Sequence, residues 1–456
     1  MSGNLLPATE RALFRRLAVE QSETRTPSVV AGVVRDSELI WTRGRGRVRG
    51  SEPTRNTQYR IGSITKTFVA ALVLRLRDEG LIDLADQLDD YVPGTAVGDR
   101  SIADLLSHSS GLGAEPPGTW WERVPGVGAQ EFVDCVDSDA MRAAPKHGFH
   151  YSNTGFGLLG ELISRVRRRD WTEALELEIL RPLEMTRTTL SPVVPHAEGW
   201  AVHPWADVVH PEPAEDAGAM APAGQLWSTV DDIGRWLRFV MGDSGEVLHP
   251  DTVTEMRSPG SVSDGDEWLM GAGLGFQLWR HAGRRIAGHS GSMPGFVAMA
   301  MADPNDKTGV VFFANSTAGP RSSLATDLLD ILEEHEPRIP EPWTPSLDVP
   351  PDWLPLTGQW FWGPTPYVLQ ILPDGLLDLS PWEGQGRSSR FRPGRDGTWV
   401  GLDGYYQGEP LRIGRDPQGE VTHLNLCTFI FTRTPYGRDA PVPGGSLDWM
   451  PAREVL

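Results

Sequence analysis

The chain has 456 residues, too many for one small hydrophobic core, and two domains is the expected count. Its 61 acidic against 42 basic residues give a formal charge of −19, a surface that repels nucleic acid and anionic membrane and removes both from the expected partners. Cys135 and Cys427, far apart in sequence, predict reduced thiols; the N-terminal residues lack the charged start and apolar core of an export signal, no apolar run is long enough to span a bilayer, and the expectation is a soluble, cytoplasmic protein.

Taken in order, residues 8–22 have helix-like spacing at Leu13, Leu17 and Val19, which predicts an outer packing helix. Ser28 to Val34 and Glu38 to Trp41, separated by Arg35-Asp-Ser, read as a hairpin of mostly apolar strands. Arg43, Arg45, Arg47 and Arg49 alternate with Gly and Val, and that period of two assigns them to the solvated side of a strand rather than to an acidic partner.

In Ile61-Gly62-Ser63-Ile64-Thr65-Lys66-Thr67-Phe68 an extended segment runs into an apolar helix carrying Ala70, Leu72, Val73 and Leu76. A serine and a lysine three apart share one helical face, so the amine can reach the hydroxyl and take its proton. Backbone N–H groups at the helix start favour the negative charge that develops during attack on a carbonyl. The chain writes nearly all its positive charge as arginine and keeps lysine only at Lys66, Lys146 and Lys307; arginine cannot serve as a base, whereas a desolvated lysine can. An N-cap serine followed by a solvated lysine is the alternative for this stretch taken alone.

After a turn-rich connection from Leu81 to Pro93, Ser101 to His108 reads as helical. His108, within Leu105-Leu-Ser-His-Ser-Ser-Gly-Leu112, is taken as a helix-end residue with no chemical role. Residues 113–149, rich in Gly and Pro and containing Trp120 and Trp121, form a long excursion of the kind that walls or covers sites. Tyr151-Ser152-Asn153 then precedes a small-residue helix; the phenol and amide can line a cleft, and an N-cap serine beside a buried tyrosine accounts for the same residues equally well. His147, His150, His196, His203 and His210 lack accompanying carboxylate or thiol spacing, so neither a metal nor a cofactor is expected. Residues 192–222 are loop-like, and Ser228 to Val240 starts with a capping pattern and continues as an amphipathic helix.

From Gly273 the pattern becomes consecutive hairpins of one antiparallel sheet, with Gly288-His289-Ser290-Gly291-Ser292-Met293-Pro294-Gly295-Phe296 between the second and third strands. Seven prolines fall in residues 337–355, an interdomain linker. Short strands recur beyond it, at Gly358 to Trp362, Tyr367 to Leu372, Leu376 to Leu379, Thr398 to Val400, Leu411 to Ile413 and Thr422 to Thr432, and predict an all-β, barrel-like second domain. The domain reading is 1–336, linker 337–355, and 356–456.

Together, Ser63-x-x-Lys66, Tyr151-x-Asn153 and His289-x-Gly291, in that order, resemble the serine β-lactamase and penicillin-binding protein superfamily over about residues 10–335. Leu105 to Leu112 and Gly288 to Phe296 look like its class C branch. The resemblance implies an α/β (α+β) fold: a β-lactamase-like antiparallel sheet flanked by helices plus a helical subdomain, here followed by a small lipocalin-like barrel. Lys307-Thr308-Gly309 spells the lysine form of the third motif, but it follows Pro304-Asn-Asp and precedes a strand, which makes it a hairpin turn and leaves His289 as the third-motif residue.

The second domain, the early Ser63 and the missing export signal look most like stand-alone penicillin-binding-protein-type thioesterases that release and cyclise nonribosomal peptides. That resemblance implies a peptidyl thioester substrate, which a carrier protein of a peptide synthetase could present. Ser63 would be the nucleophile, with Lys66 and Tyr151 moving its proton. The backbone N–H groups of Ser63 and Ser292 would hold the oxyanion, Asn153 the acyl chain's amide, and His289 would orient the hydroxyls near Tyr151. Arg433, just past a strand, is the candidate for contacting the peptide, with a surface arginine at a strand end as the equal alternative. A D-stereospecific peptidase or esterase, or a β-lactamase-like hydrolase, would use the same residues. A penicillin-sensing module that acylates once and stalls would usually carry a membrane segment.

Overall fold

Strand β1 (Ser28–Arg35) is apolar at nearly every position, and its two-residue period sends Val30 and Val34 to one face and Val29, Ala31 and Val33 to the other, all of them buried. Such a strand belongs inside a sheet covered on both sides. The computed structural model, which describes residues 5–263, 268–340, 342–345, 348–437 and 440–443, places it there. With β2 (Glu38–Gly46), β3 (Ser261–Val262), β4 (Met270–Ala272), β5 (Gln277–His281), β6 (Arg284–Met293), β7 (Phe296–Asp303) and β8 (Thr308–Ala314) it forms an eight-stranded sheet in the order β2-β1-β8-β7-β6-β5-β4-β3. The pairs are antiparallel, and β1 meets β8 from Val29 opposite Ala314 to Arg35 opposite Thr308.

The helices that position the site are, in chain order, α1 (Pro7–Glu23), α2 (Thr65–Asp78), α3 (Ile102–Leu106), α4 (Asn153–Arg167), α5 (Val230–Val240) and α6 (Ser323–His335). Leu13 and Leu17 of α1 and Leu324, Leu328 and Leu332 of α6 cover one sheet face. The helical region, including α2, α4 and α5, packs on the other. Helix α2 is buried continuously from Thr65 to Leu74, as a helix apolar on all sides must be. Phe68 stacks on Trp236 of α5 with ring centroids 4.0 Å apart, and the Trp236 indole donates to Thr67 Oγ1 at 2.9 Å. Burying one such aromatic side chain contributes about 2–3 kcal/mol, so α2 is a stiff support for whatever stands at its start. The expected cap of α5 moves by one residue: Thr229 is the N-cap, accepting from the Asp232 N–H at 3.2 Å, while Ser228 pairs with Tyr59 in a two-residue strand.

The chain divides into two compact units, Met1–Ile339 and Pro340–Leu456. The second is a closed barrel of β9 (Gly358–Trp362), β10 (Thr365–Ile371), β11 (Leu377–Pro381), β12 (Ser389–Pro393), β13 (Trp399–Gly401), β14 (Pro410–Arg415), β15 (Val421–Leu426) and β16 (Phe429–Thr432). Trp362 opposite Phe431 closes β9 onto β16, which removes exposed sheet edges. Trp360, Leu369, Leu379, Phe391, Leu411, Leu424 and Phe431 fill its core. Thr422 to Thr432, expected as one strand, is two, divided at Cys427 where φ is 59°. Cys135 and Cys427 are free cysteines, and among the described residues no helix is long and apolar enough to cross a membrane.

Candidate active site

Ser63 stands in the 3₁₀ turn Gly62–Ile64 that leads directly into α2. Ile61 N–H donates to the Leu226 carbonyl at 2.8 Å and Leu226 N–H to Thr65 Oγ1 at 3.2 Å, so the segment through Leu226 holds the turn on both sides of the serine. Gly62 has φ 53°, and a Cβ there would lie 2.4 Å from the Ser292 backbone nitrogen. A Cβ on Gly291 would lie 1.9 Å from the Ile61 carbonyl oxygen and 3.3 Å from the Ser63 nitrogen. Two glycines thus let β6 lie against the serine turn and bring Ser63 and Ser292 to one cleft, also lined by Phe149, Tyr151, Gln277 and Ser290.

Lys66 is fully buried, and its Nζ contacts Ser63 Oγ at 2.9 Å and the Ala223 carbonyl. Burial lowers its pKa to about 7, against the opposing pull of the Glu115 and Glu122 charges. A neutral amine bonded to a serine hydroxyl is a general base in place. Tyr151 hydrogen-bonds to Ser63, and Lys66 Nζ lies 5.1 Å from its ring centroid. Burial raises the phenol above its usual pKa, so it remains protonated and able to donate.

His289 is buried on β6, its ring centroid 6.0 Å from that of Tyr151. Its Nδ1 meets the Ser290 carbonyl at 2.5 Å; a carbonyl only accepts, so the proton is on Nδ1 and Nε2 keeps its lone pair, buried and without a partner among the described residues. Burial first, then the Lys66 charge, lowers this imidazole to about 3, which keeps it neutral at physiological pH. Lys307 is placed differently: it is in the turn between β7 and β8, with φ 52°, and its Nζ donates to the Met241 carbonyl. Lys307→Ala should therefore leave turnover within a few-fold, whereas His289→Ala should lower kcat/KM by about a hundredfold, as loss of an orienting group beside the acid–base pair does. Steady-state kinetics of both variants on one ester substrate checks this.

Asn153 opens α4, with Ser152 as N-cap accepting from Gly155 N–H at 3.1 Å, so the capping reading of Tyr151-Ser152-Asn153 holds while Tyr151 lines the cleft. The Asn153 Nδ2 donates to Glu115 Oε1 at 2.8 Å, and the Trp121 indole donates to Glu115 Oε2 at 2.7 Å. Trp121 is nearly buried, while Trp120 is exposed, donating its indole N–H to Glu122 at 2.9 Å. The long excursion thus brings two carboxylates close enough to act on Lys66 and Tyr151.

Three site neighbours escaped the sequence reading. His108 stacks on Tyr151 with centroids 4.4 Å apart, and its Nδ1 accepts the Ser152 N–H at 3.1 Å, so it braces both the phenol ring and the backbone beside it. Its signal was the Leu105 to Leu112 motif, read there as a helix end. Glu115 carries no local signal, because its partners Asn153 and Trp121 meet it only in the fold. Arg60, three residues before Ser63, is buried among the charges of Glu122, Asp216 and Glu215 and donates to the Glu215 carbonyl at 3.1 Å. Arg433, the candidate peptide contact, is half-buried with its guanidinium engaged on the barrel's own backbone, on the carbonyls of Thr357 at 3.0 Å, Gln359 at 3.1 Å and Pro355, and 3.7 Å from the Trp360 ring centroid. Those are the bonds of a strand-end arginine bracing its own barrel.

Comparison with known proteins gives the following. A family model described as Beta-lactamase matches residues 14–333, and one described as a domain of unknown function (DUF7586) matches residues 349–433. The chain is 29% identical over 262 residues to "Beta-lactamase-like protein 2" of Dictyostelium discoideum, a match covering 52% of this chain and 47% of that protein, so it spans about half of that relative. It is similar to the D-stereospecific amidohydrolase from Streptomyces sp., with 26% identity and a TM-score of 0.59, over 72% of this chain and 98% of that one. SurE shares the fold across both units, with a TM-score of 0.60 and 24% identity over 93% of this chain and 99% of that one.

Proposed function

The chain belongs to the Beta-lactamase family of serine hydrolases, and from that premise we propose that it takes a peptidyl thioester onto Ser63 and releases it by head-to-tail macrolactamisation. The observation that carries the acyl-transfer part is the contact of Lys66 Nζ with Ser63 Oγ at 2.9 Å, with the lysine desolvated to about pH 7. With the amine neutral, the hydroxyl donates to Lys66 and loses its proton as Oγ attacks the thioester carbonyl. The Ser63 and Ser292 N–H groups stabilise the developing oxyanion. As the carbon–sulfur bond breaks, the protonated Tyr151 gives its proton to the leaving thiolate, and the proton that Lys66 took from Ser63 restores the phenol. His289 keeps an acceptor beside Tyr151 and supports the phenol's orientation. The acyl-enzyme is then opened by the peptide's own amine: a C–N bond forms, the C–Oγ bond breaks, and the amine proton returns to Ser63.

Ring closure requires the amine at high effective concentration beside the ester, which a walled site supplies. The Trp120–Trp121 excursion, tied to Asn153 through Glu115, supports this reading, as does the likeness of both units to SurE. The similarity to a D-stereospecific amidohydrolase supports a second reading, hydrolysis of a D-configured amide or ester by the same residues. A peptidyl thioester ending in a D-residue separates them. Cyclisation gives mainly a lactam lighter than the linear acid by one water; linear acid alone from several such thioesters, whatever the terminal chirality, selects the hydrolase.

A further inference from the structure

Close enough to Tyr151 and Lys66 for its charge to act on both, Glu115 meets Asn153, and there the chain leaves acceptors unmatched. Asn153 is only 8% exposed, and its Nδ2 donates to Glu115. A carboxylate cannot donate, which fixes the amide orientation and leaves Oδ1 buried with no donor among the described residues. Glu115 is exposed, and its described hydrogen-bond partners are the neutral donors Asn153 Nδ2 and Trp121 Nε1, which fill two of about four lone-pair positions. Glu122 approaches from the same excursion, held by the neutral Trp120 indole, and adds its charge to that of Glu115. The cations facing Glu122 are Arg60, whose Nη2 is given to the Glu215 carbonyl, and Lys66, whose pKa burial lowers to about 7, so that it carries only part of a full charge there.

We propose that Glu115 and Asn153 Oδ1, in the field of Glu122, form a subsite for a primary ammonium group of the substrate, its free N-terminal amine. This deepens the acyl-transfer reading and rests on it. An amide N–H brings one donor and no charge, whereas an ammonium brings three donors and the charge that two carboxylates call for. Asn153 follows Tyr151 by two residues, and Tyr151 bonds Ser63, so an amine held here is beside the acyl group that Ser63 carries.

Binding to the full chain carrying Ser63→Ala, measured by calorimetry, tests the subsite without turnover. The probes are a tetrapeptide acid ending in D-Leu with a free N-terminus and the same peptide N-acetylated. The free amine should bind about tenfold or more tightly near pH 6.5, and the preference should fade above about pH 8, where an α-amine loses its proton. Adding Glu115→Gln should erase the preference by weakening the free-amine peptide alone. Adding Trp121→Phe, which removes a tether but leaves the charge, should preserve it. Equal affinities for the two peptides, binding of neither, or equal losses for both peptides in Glu115→Gln would each overturn the subsite. Covalent labelling of Ser63 in the native chain scores acyl transfer separately, so a labelled serine without amine preference sinks the subsite alone.

Discussion

Lys66→Arg and Lys66→Met should each lower kcat/KM for acylation of Ser63 by about a thousandfold or more while the chain remains folded, because the general base is lost and nothing adjacent replaces it. Arginine keeps the charge but cannot release its proton, and its planar head needs more room than the fully buried pocket gives; methionine keeps the length without nitrogen. Protonation supplies an independent reading. The active base is the neutral amine, so with Lys66 at about 7 the acylation rate should fall tenfold per pH unit below about 7 and level off above it. The Glu115 and Glu122 charges raise this pKa, so Glu122→Gln should move the midpoint to lower pH. His289, held near 3, contributes no limb in that range. A rate that stays flat from pH 5.5 to 8.5, or activity retained in Lys66→Arg, would assign the base elsewhere.

The Ser63–Lys66 pairing was legible because it is local. Ser63 and Lys66 are one helical turn apart, and short, nearly continuous apolar runs announce β1 and the hairpins from Gly273 onward. The barrel was legible where strands carry aromatic and β-branched residues, but β12 was not: in Ser389-Arg-Phe-Arg-Pro only Phe391 is apolar, and its burial depends on partners in β11 and β13. The turn at Cys427 was hidden for a related reason, since neither Cys427 nor Thr428 is a usual turn residue. Around the site, what was missed is non-local. His108 lies 43 positions before Tyr151 in the chain and reaches it because His150 N–H donates to the His108 carbonyl at 2.8 Å, folding the excursion back on itself. Glu115 needed both Trp121 and Asn153 in place before its carboxylate had a position. Arg433 is the converse case: its place at a strand end left two readings open, and its guanidinium bonds three carbonyls of its own barrel.

The central claim is that Ser63 is the nucleophile, poised by a desolvated Lys66 and a protonated Tyr151. Intact-mass measurement of the full chain after treatment with a fluorophosphonate or a β-lactone reads it directly. The native chain should gain the mass of one adduct, located by peptide mapping on Ser63, and Ser63→Ala should gain none. An undiminished adduct on Ser63→Ala would contradict the account.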